Sequence, residues 1–191
     1  MNKILDSRPL LWLALALPAG LVLWRYATDV ITYGQVIHQT GDFSVQLLIV
    51  TLAATPLRLA FPKWGPARWL LRRRREFGVA MFGNALLHLL VYVQRKIGYI
   101  LGEASEIGML TGWIAFAVFV PLALTSNDAS MRALKLGWKR LHRLVYPAAV
   151  LALAHWLFTA FDPLWGIVHA AILAAVEAAR IALVWRARRP T

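Results

Sequence analysis

Cysteine is absent from this chain of 191 residues. Its absence excludes disulfides, thiolate-held iron–sulfur clusters and thiolate-ligated haem, and leaves His, Met, Tyr or carboxylate to hold any metal or haem. Acid is scarce as well: nine Asp and Glu against 21 Lys and Arg give a net charge of +12. That balance would suit nucleic acid if the basic residues gathered on one folded face among polar and stacking groups. They fall instead in short clusters between long apolar runs, so no nucleic-acid partner is expected. No internal repeat is visible either, which speaks against an inverted-repeat transporter.

What the chain has in abundance is apolar length. Sixty per cent of the residues are hydrophobic and the mean hydropathy is +0.59, well above the share usual for a soluble domain. Crossing about 30 Å of hydrocarbon takes roughly 20 apolar residues. Runs of that kind lie at about 10–27, 43–61, 77–99, 108–125, 140–160 and 164–184. The expected fold is therefore an all-α bundle of about six transmembrane helices, residues 1–191 forming one domain. Lys3 and Arg8 ahead of the first run, with Ala14 to Gly20 inside it, resemble a secretory signal. The run continues to Trp24 without a clear small-x-small site, so a retained first helix is expected.

The connecting segments carry the orientation. All but three of the 21 basic residues lie before the first run, from the end of the second run to the start of the third, around the fourth-to-fifth connection, or at and beyond the end of the sixth. The exceptions are Arg25, Arg95 and Lys96, and the alternate side also holds Asp29, Asp42, Glu103, Glu106 and Asp162. The positive-inside rule then puts both termini in the cytoplasm. The Arg72–Arg75 cluster is chiefly such a topology signal, and contact with anionic membrane lipid follows from it.

Against this apolar background three histidines stand out: His88, His142 and His155. An ionisable group at membrane depth is expensive unless it has a partner or a function. Counting about 1.5 Å per residue, His88 lies roughly 16 Å and His155 roughly 20 Å beyond His142's end of the membrane. His88 and His155 thus reach similar depth, the arrangement six-coordinate haem b requires, with one imidazole on each face of the iron. The bland alternative for His88 and His155 is a neutral imidazole bonded to a hydroxyl or carbonyl across a helix interface. His142, among Lys139, Arg140 and Arg143, has solvation at the interface as its alternative. On one straight helix His142 and His155 would stand about 140° apart, with Pro147 between them to bend the axis.

Other residues rank lower. His38 is read as part of the first outward loop, and His169 as a substitute ligand or propionate neighbour. Met81, a possible soft axial ligand, is better explained by packing. Glu177 and Arg180 at i and i+3 read as a local pair, with a quinone or propionate contact as the alternative. A histidine-dependent transporter running a proton relay is the competing function class, and it lacks any intramembrane carboxylate beyond Glu177.

Several stretches also form a recognisable pattern. These are Arg74-Arg75-Glu76-Phe77-Gly78, Leu86-Leu87-His88 with Tyr92, Leu136-Gly137-Trp138, and Leu141-His142-Arg143-Leu144-Val145-Tyr146 followed by His155. Thr40-Gly41 before the second run, Thr55-Pro56-Leu57-Arg58 after it and Thr125-Ser126 closing the fourth complete it. Over essentially the whole chain this resembles the ferric reductase-like transmembrane family, and within it the haem-binding membrane subunits of protein-methionine-sulfoxide reductase systems. The resemblance implies a multi-pass protein of the bacterial inner membrane that binds haem b on His88, His142 and His155. It implies an electron-transfer subunit that does not itself catalyse. Electrons would come from the quinone pool or a cytoplasmic flavin reductase and go to a periplasmic MsrP-like molybdenum reductase, which reduces methionine sulfoxide in oxidised proteins. FMN is expected on the resemblance alone. A quinol-oxidising cytochrome b subunit serving another periplasmic enzyme is the neighbouring alternative.

The chain departs from the wider oxidase pattern in one respect. That pattern carries two histidines about fourteen residues apart on the third helix, whereas Arg74 and Gly102 occupy those offsets from His88. A second haem on His142 would need a partner ligand that the sequence does not identify, so one or two haems are expected.

Overall fold

The computed structural model of the chain describes residues 7–188; Lys3 and Arg189, which carry part of the charge asymmetry, lie outside the described residues. The described residues form helices joined by short turns, with no strand among them. The helices are α1 (Arg8–Ala27), α2 (Tyr33–Ala60), α3 (Gly65–Lys96), α4 (Ile100–Glu103), α5 (Ile107–Leu124), α6 (Asp128–Leu134), α7 (Leu136–His142), α8 (Val145–Thr159) and α9 (Leu164–Arg188). Six segments are long and apolar enough to cross a membrane: α1, α2, α3, α5, the α7–α8 run Leu136–Thr159, and α9 up to Ala187. The molecule is a multi-pass, all-α membrane protein.

Two helices begin well before their apolar runs, each for a local reason. At the start of α2 the Thr32 hydroxyl accepts from Gln35 N–H at 3.4 Å and the Gln35 side chain accepts from Thr32 N–H at 2.8 Å. This capping box satisfies two otherwise orphaned donors and starts the helix at Tyr33. His38, read from the sequence as a loop residue, therefore lies within α2. In α3 the helix begins at Gly65 and runs through Arg72–Arg75. Arginine is a good helix former, and a scan for apolar residues passes over polar helical turns.

The fifth apolar run is two helices. Arg143 N–H bonds Arg140 O at 3.2 Å and Leu144 N–H bonds Leu141 O at 2.9 Å, three-residue spacings that tighten the chain at the end of α7. Pro147 has no N–H to offer the Arg143 carbonyl four residues back, and Tyr146 N–H takes that acceptor at 3.2 Å. Pro147 then sits in the first turn of α8, where a missing donor costs nothing. His142 closes α7 and His155 lies in α8, so the single bent helix expected from the sequence is replaced by a break.

The residues group into two compact units. In the first, formed by the chain up to His88 and from Ala171 onward, α1 packs on α2. Ser44 Oγ in α2 donates to Met81 O in α3 at 3.1 Å. Val36, Leu48, Leu52 and Ala54 make its core, while Leu13, Leu17, Leu21 and Trp24 of α1 are exposed, as suits a lipid-facing helix. Leu48 is only 2% exposed. Leu48→Ala is expected to cost about 2–5 kcal/mol through lost packing and a residual cavity, measured by denaturant unfolding in detergent.

In the second unit, residues 89–170, α5 and α8 pack along one another. Gly108 permits the approach, since a Cβ there would lie 2.9 Å from Thr159 Cγ2 and 3.1 Å from Phe158 Cβ. Between α3 and α5, Glu103 accepts from Lys96 Nζ at 2.8 Å and Tyr92 OH at 2.9 Å. These donors, Lys96 foremost, hold its carboxyl below the usual carboxylate range.

Candidate functional site

His88 is half-buried in α3, and its Nδ1 lies 3.0 Å from Ile37 O in α2. A carbonyl can only accept, so Nδ1 carries the proton and Nε2 the lone pair. Thr40 Oγ1 stands 3.4 Å from the same nitrogen, its own hydroxyl directed to Val36 O at 2.8 Å and Ile37 O at 3.1 Å. The imidazole passes close to Gly41, where a Cβ would lie 3.2 Å from both His88 Cε1 and Nδ1.

His155 repeats this arrangement in the other unit. Its Nδ1 donates to Gly108 O in α5 at 2.8 Å, which again puts the lone pair on Nε2. Its ring lies against Gly112 so tightly that a Cβ would come within 2.6 Å of Nδ1. The bland reading of these two histidines, a carbonyl partner across a helix interface, thus describes part of their geometry. A metal-ligating histidine is also held in this way, because it donates its second ring N–H to a carbonyl or carboxylate that fixes tautomer and orientation.

His142 differs. Its Nε2 meets Thr125 Oγ1 at 3.0 Å, and that hydroxyl already donates to Pro121 O at 2.6 Å. Thr125 therefore accepts from His142 Nε2–H, and the neutral ring keeps its lone pair on Nδ1. Trp138 stacks on the imidazole with centroids 4.0 Å apart and donates Nε1–H to Thr125 O at 2.9 Å. Ligation through Nε2 would require His142 to surrender the Thr125 bond.

The lower-ranked residues fall elsewhere. His169 donates Nδ1–H to Trp165 O one turn back in its own helix at 2.8 Å and tilts against Trp156 at 4.9 Å. His38 is exposed on α2, and Met81 is buried in the core of the first unit. Arg180 Nε meets Glu177 Oε2 at 2.6 Å, the local pair expected from their spacing.

Among the described residues no three of His, Asp and Glu gather to cage a bare ion. Single imidazoles on different helices suit a metal that brings its other ligands with it, as a porphyrin brings four to haem iron. Each imidazole by itself therefore suits haem iron, His88 in the first unit and His155 in the second both offering Nε2. Sequence reasoning found the three histidines but missed Thr125, Thr111 and Gly112 as their partners. The signal that could have found two of them was a second Thr-Gly dipeptide, at 111–112, matching the one at 40–41.

Comparison with known proteins points the same way. The family described as ferric reductase like transmembrane component matches residues 40–153, a span that contains His88 and His142 and ends two residues short of His155. A protein of Xanthomonas campestris pv. campestris (strain B100), named protein-methionine-sulfoxide reductase heme-binding subunit MsrQ, is 35% identical across 99% of this chain and 92% of its own length. The protein of that name from Xanthomonas axonopodis pv. citri is 32% identical across 100% of this chain and 92% of its own. One from Brucella ovis is 36% identical across 80% and 67%. With the family pattern covering more than half of the chain and relatives matched nearly end to end, the chain belongs to the ferric reductase-like transmembrane family, within its MsrQ group.

Proposed function

We propose that this chain is the b-type haem electron-transfer subunit of a protein-methionine-sulfoxide reductase system. In this reading it lies in the bacterial inner membrane with both termini cytoplasmic and passes electrons to a periplasmic MsrP-like molybdenum reductase. The observation that carries the reading is the paired preparation of His88 and His155, each with Nδ1–H spent on a backbone carbonyl and its lone pair on Nε2. Haem b bound there supplies a one-electron couple. The protein's part is to fix the two imidazoles, exclude water with the apolar helices and set how strongly each nitrogen donates. His142, with its lone pair on Nδ1, would join the ligand set through Nε2 only on release from Thr125. FMN rests on the family resemblance and has no residue of its own in this proposal.

Of the two electron donors, a specific observation favours the quinone pool over a cytoplasmic flavin reductase. A cleft of about 190 Å³ in the first unit is lined by Pro18 and Val22 of α1, Thr40, Asp42 and Gln46 of α2, and Asn84 of α3. Asn84 is buried; its Nδ2 donates to Ala80 O at 2.9 Å, while its Oδ1 is buried without a partner. Gln46 Nε2 is directed to Asp42 Oδ1 at 3.1 Å. A buried unsatisfied acceptor is costly, and one O–H of a hydroquinone entering the cleft would satisfy it. Hydroquinone oxidation gives quinone, two protons and two electrons, the number of electrons and protons one sulfoxide consumes in becoming thioether and water.

In proteoliposomes carrying the haem-loaded protein, a short-chain quinol should reduce the haem and, with an MsrP-like reductase outside, support sulfoxide reduction. Asn84→Leu should slow reduction by quinol about tenfold, the loss of one buried hydrogen bond of about 1.4 kcal/mol, while dithionite reduces it fully. Equal quinol rates in parent and variant would return the donor to the flavin reductase, and failure of the loaded parent to reduce the partner would point to another periplasmic enzyme.

A further inference from the structure

The two histidine anchors share one construction. The carbonyl that receives His88 Nδ1–H belongs to Ile37, with Thr40 three and Gly41 four residues further along α2. The carbonyl that receives His155 Nδ1–H belongs to Gly108, with Thr111 and Gly112 at the same offsets along α5. Each threonine hydroxyl also reaches that carbonyl, Thr40 Oγ1 to Ile37 O at 3.1 Å and Thr111 Oγ1 to Gly108 O at 2.8 Å. Each glycine is where the ring passes.

Helix geometry explains the offsets. Residue i+4 lies one turn above residue i, and its Cα–Cβ bond tilts back toward the N-terminus, over the carbonyl of i. A side chain at i+4 therefore covers the lateral approach to that oxygen, and glycine leaves it open. The helix's own i+4 N–H also points at this carbonyl, so its oxygen is shared among a backbone amide, a threonine hydroxyl and an imidazole.

We infer that Thr40-Gly41 and Thr111-Gly112 are positioning pairs: the glycine admits the imidazole to a helical carbonyl, and the threonine moderates how strongly that carbonyl pulls on Nδ1–H. The haem consequence rests on the proposed ligation by His88 and His155; the anchoring itself does not. Small residues are common wherever membrane helices pack, but a Cβ placed on Gly20 or Gly83 would have nothing within 4 Å, whereas one on Gly41 or Gly112 would meet the ring of a histidine. The two pairs are graded. The anchor at His155 is the tighter, with a 2.8 Å bond and a 2.6 Å approach against 3.0 Å and 3.2 Å at His88.

The threonine's effect has a sign. Removing its hydroxyl frees the carbonyl to accept more strongly from Nδ1–H, which makes Nε2 a stronger donor to iron and favours the oxidised state. Thr111→Val should move the midpoint potential to more negative values, and Thr111→Ser should restore the parent value.

The test uses the full-length protein in detergent, with and without haem. In haem-free protein carrying ¹⁵N-histidine, NMR should assign Nδ1–H at His88 and His155, and Gly112→Ala should lose that signature at His155. In protein expressed with haem, Gly112→Ala should retain several-fold less haem than the parent, Gly41→Ala should lose less, and Gly83→Ala should match the parent. Parental tautomer and haem content in Gly112→Ala would overturn the proposal, as would an equal loss in Gly83→Ala. A tautomer change in Gly112→Ala, with haem unmoved in both Gly112→Ala and His155→Ala, upholds the anchor and overturns the ligation it was read to serve.

Discussion

Alanine at His88 or His155 is expected to abolish the low-spin, six-coordinate haem spectrum, while alanine at His142 leaves that spectrum in place. The difference follows from where each proton sits. His88 and His155 have committed Nδ1–H to Ile37 O and Gly108 O, which leaves Nε2 as the donor atom. His142 has committed Nε2–H to Thr125, an acceptor whose own proton goes to Pro121 O. Loss of a partner that merely orients a ligand costs about 10–100-fold in metal affinity, so loss of the ligand itself should exceed that. The measurement is a reduced-minus-oxidised spectrum with electron paramagnetic resonance of the oxidised protein, alongside the amount inserted in the membrane. Parental low-spin signal in His155→Ala would remove His155 from the ligand set. Loss of that signal in His142→Ala would put His142 in the ligand set, through Nδ1 or through an Nε2 released from Thr125.

How much of this was legible in the sequence depends on the range of the interaction that decides each feature. The six spans were legible because crossing hydrocarbon demands apolar length, and length is a local property. The starts of α2 and α3 were not, because a Thr32–Gln35 capping box and a run of helix-forming arginines extend helices into polar sequence. The break between α7 and α8 was half legible: Pro147 was visible, but it placed a helix start where a bend in one helix was expected. The histidines were legible by their cost in an apolar run. Their tautomers were not, because those depend on carbonyls 51 and 47 residues away on other helices. Thr40-Gly41 and Thr111-Gly112 were plain as dipeptides, yet nothing along the chain says that an imidazole from another helix fills the space above each.

The second large effect expected is all-or-none labelling on the two sides of the membrane. The natural chain has no cysteine, so single cysteines can be introduced without background. Ala129, at the start of α6, precedes Arg132, Lys135, Lys139, Arg140 and Arg143; Ser105, between α4 and α5, lies beside Glu103 and Glu106; both are exposed. A basic residue near an anionic leaflet is worth about 1 kcal/mol, so five in one short segment bias its retention far more strongly than Arg95 and Lys96 bias the other connection. A membrane-impermeant maleimide applied to intact spheroplasts should label Ser105→Cys fully and Ala129→Cys only after permeabilisation. The reverse pattern would invert the chain, and with it the direction of electron flow across the membrane.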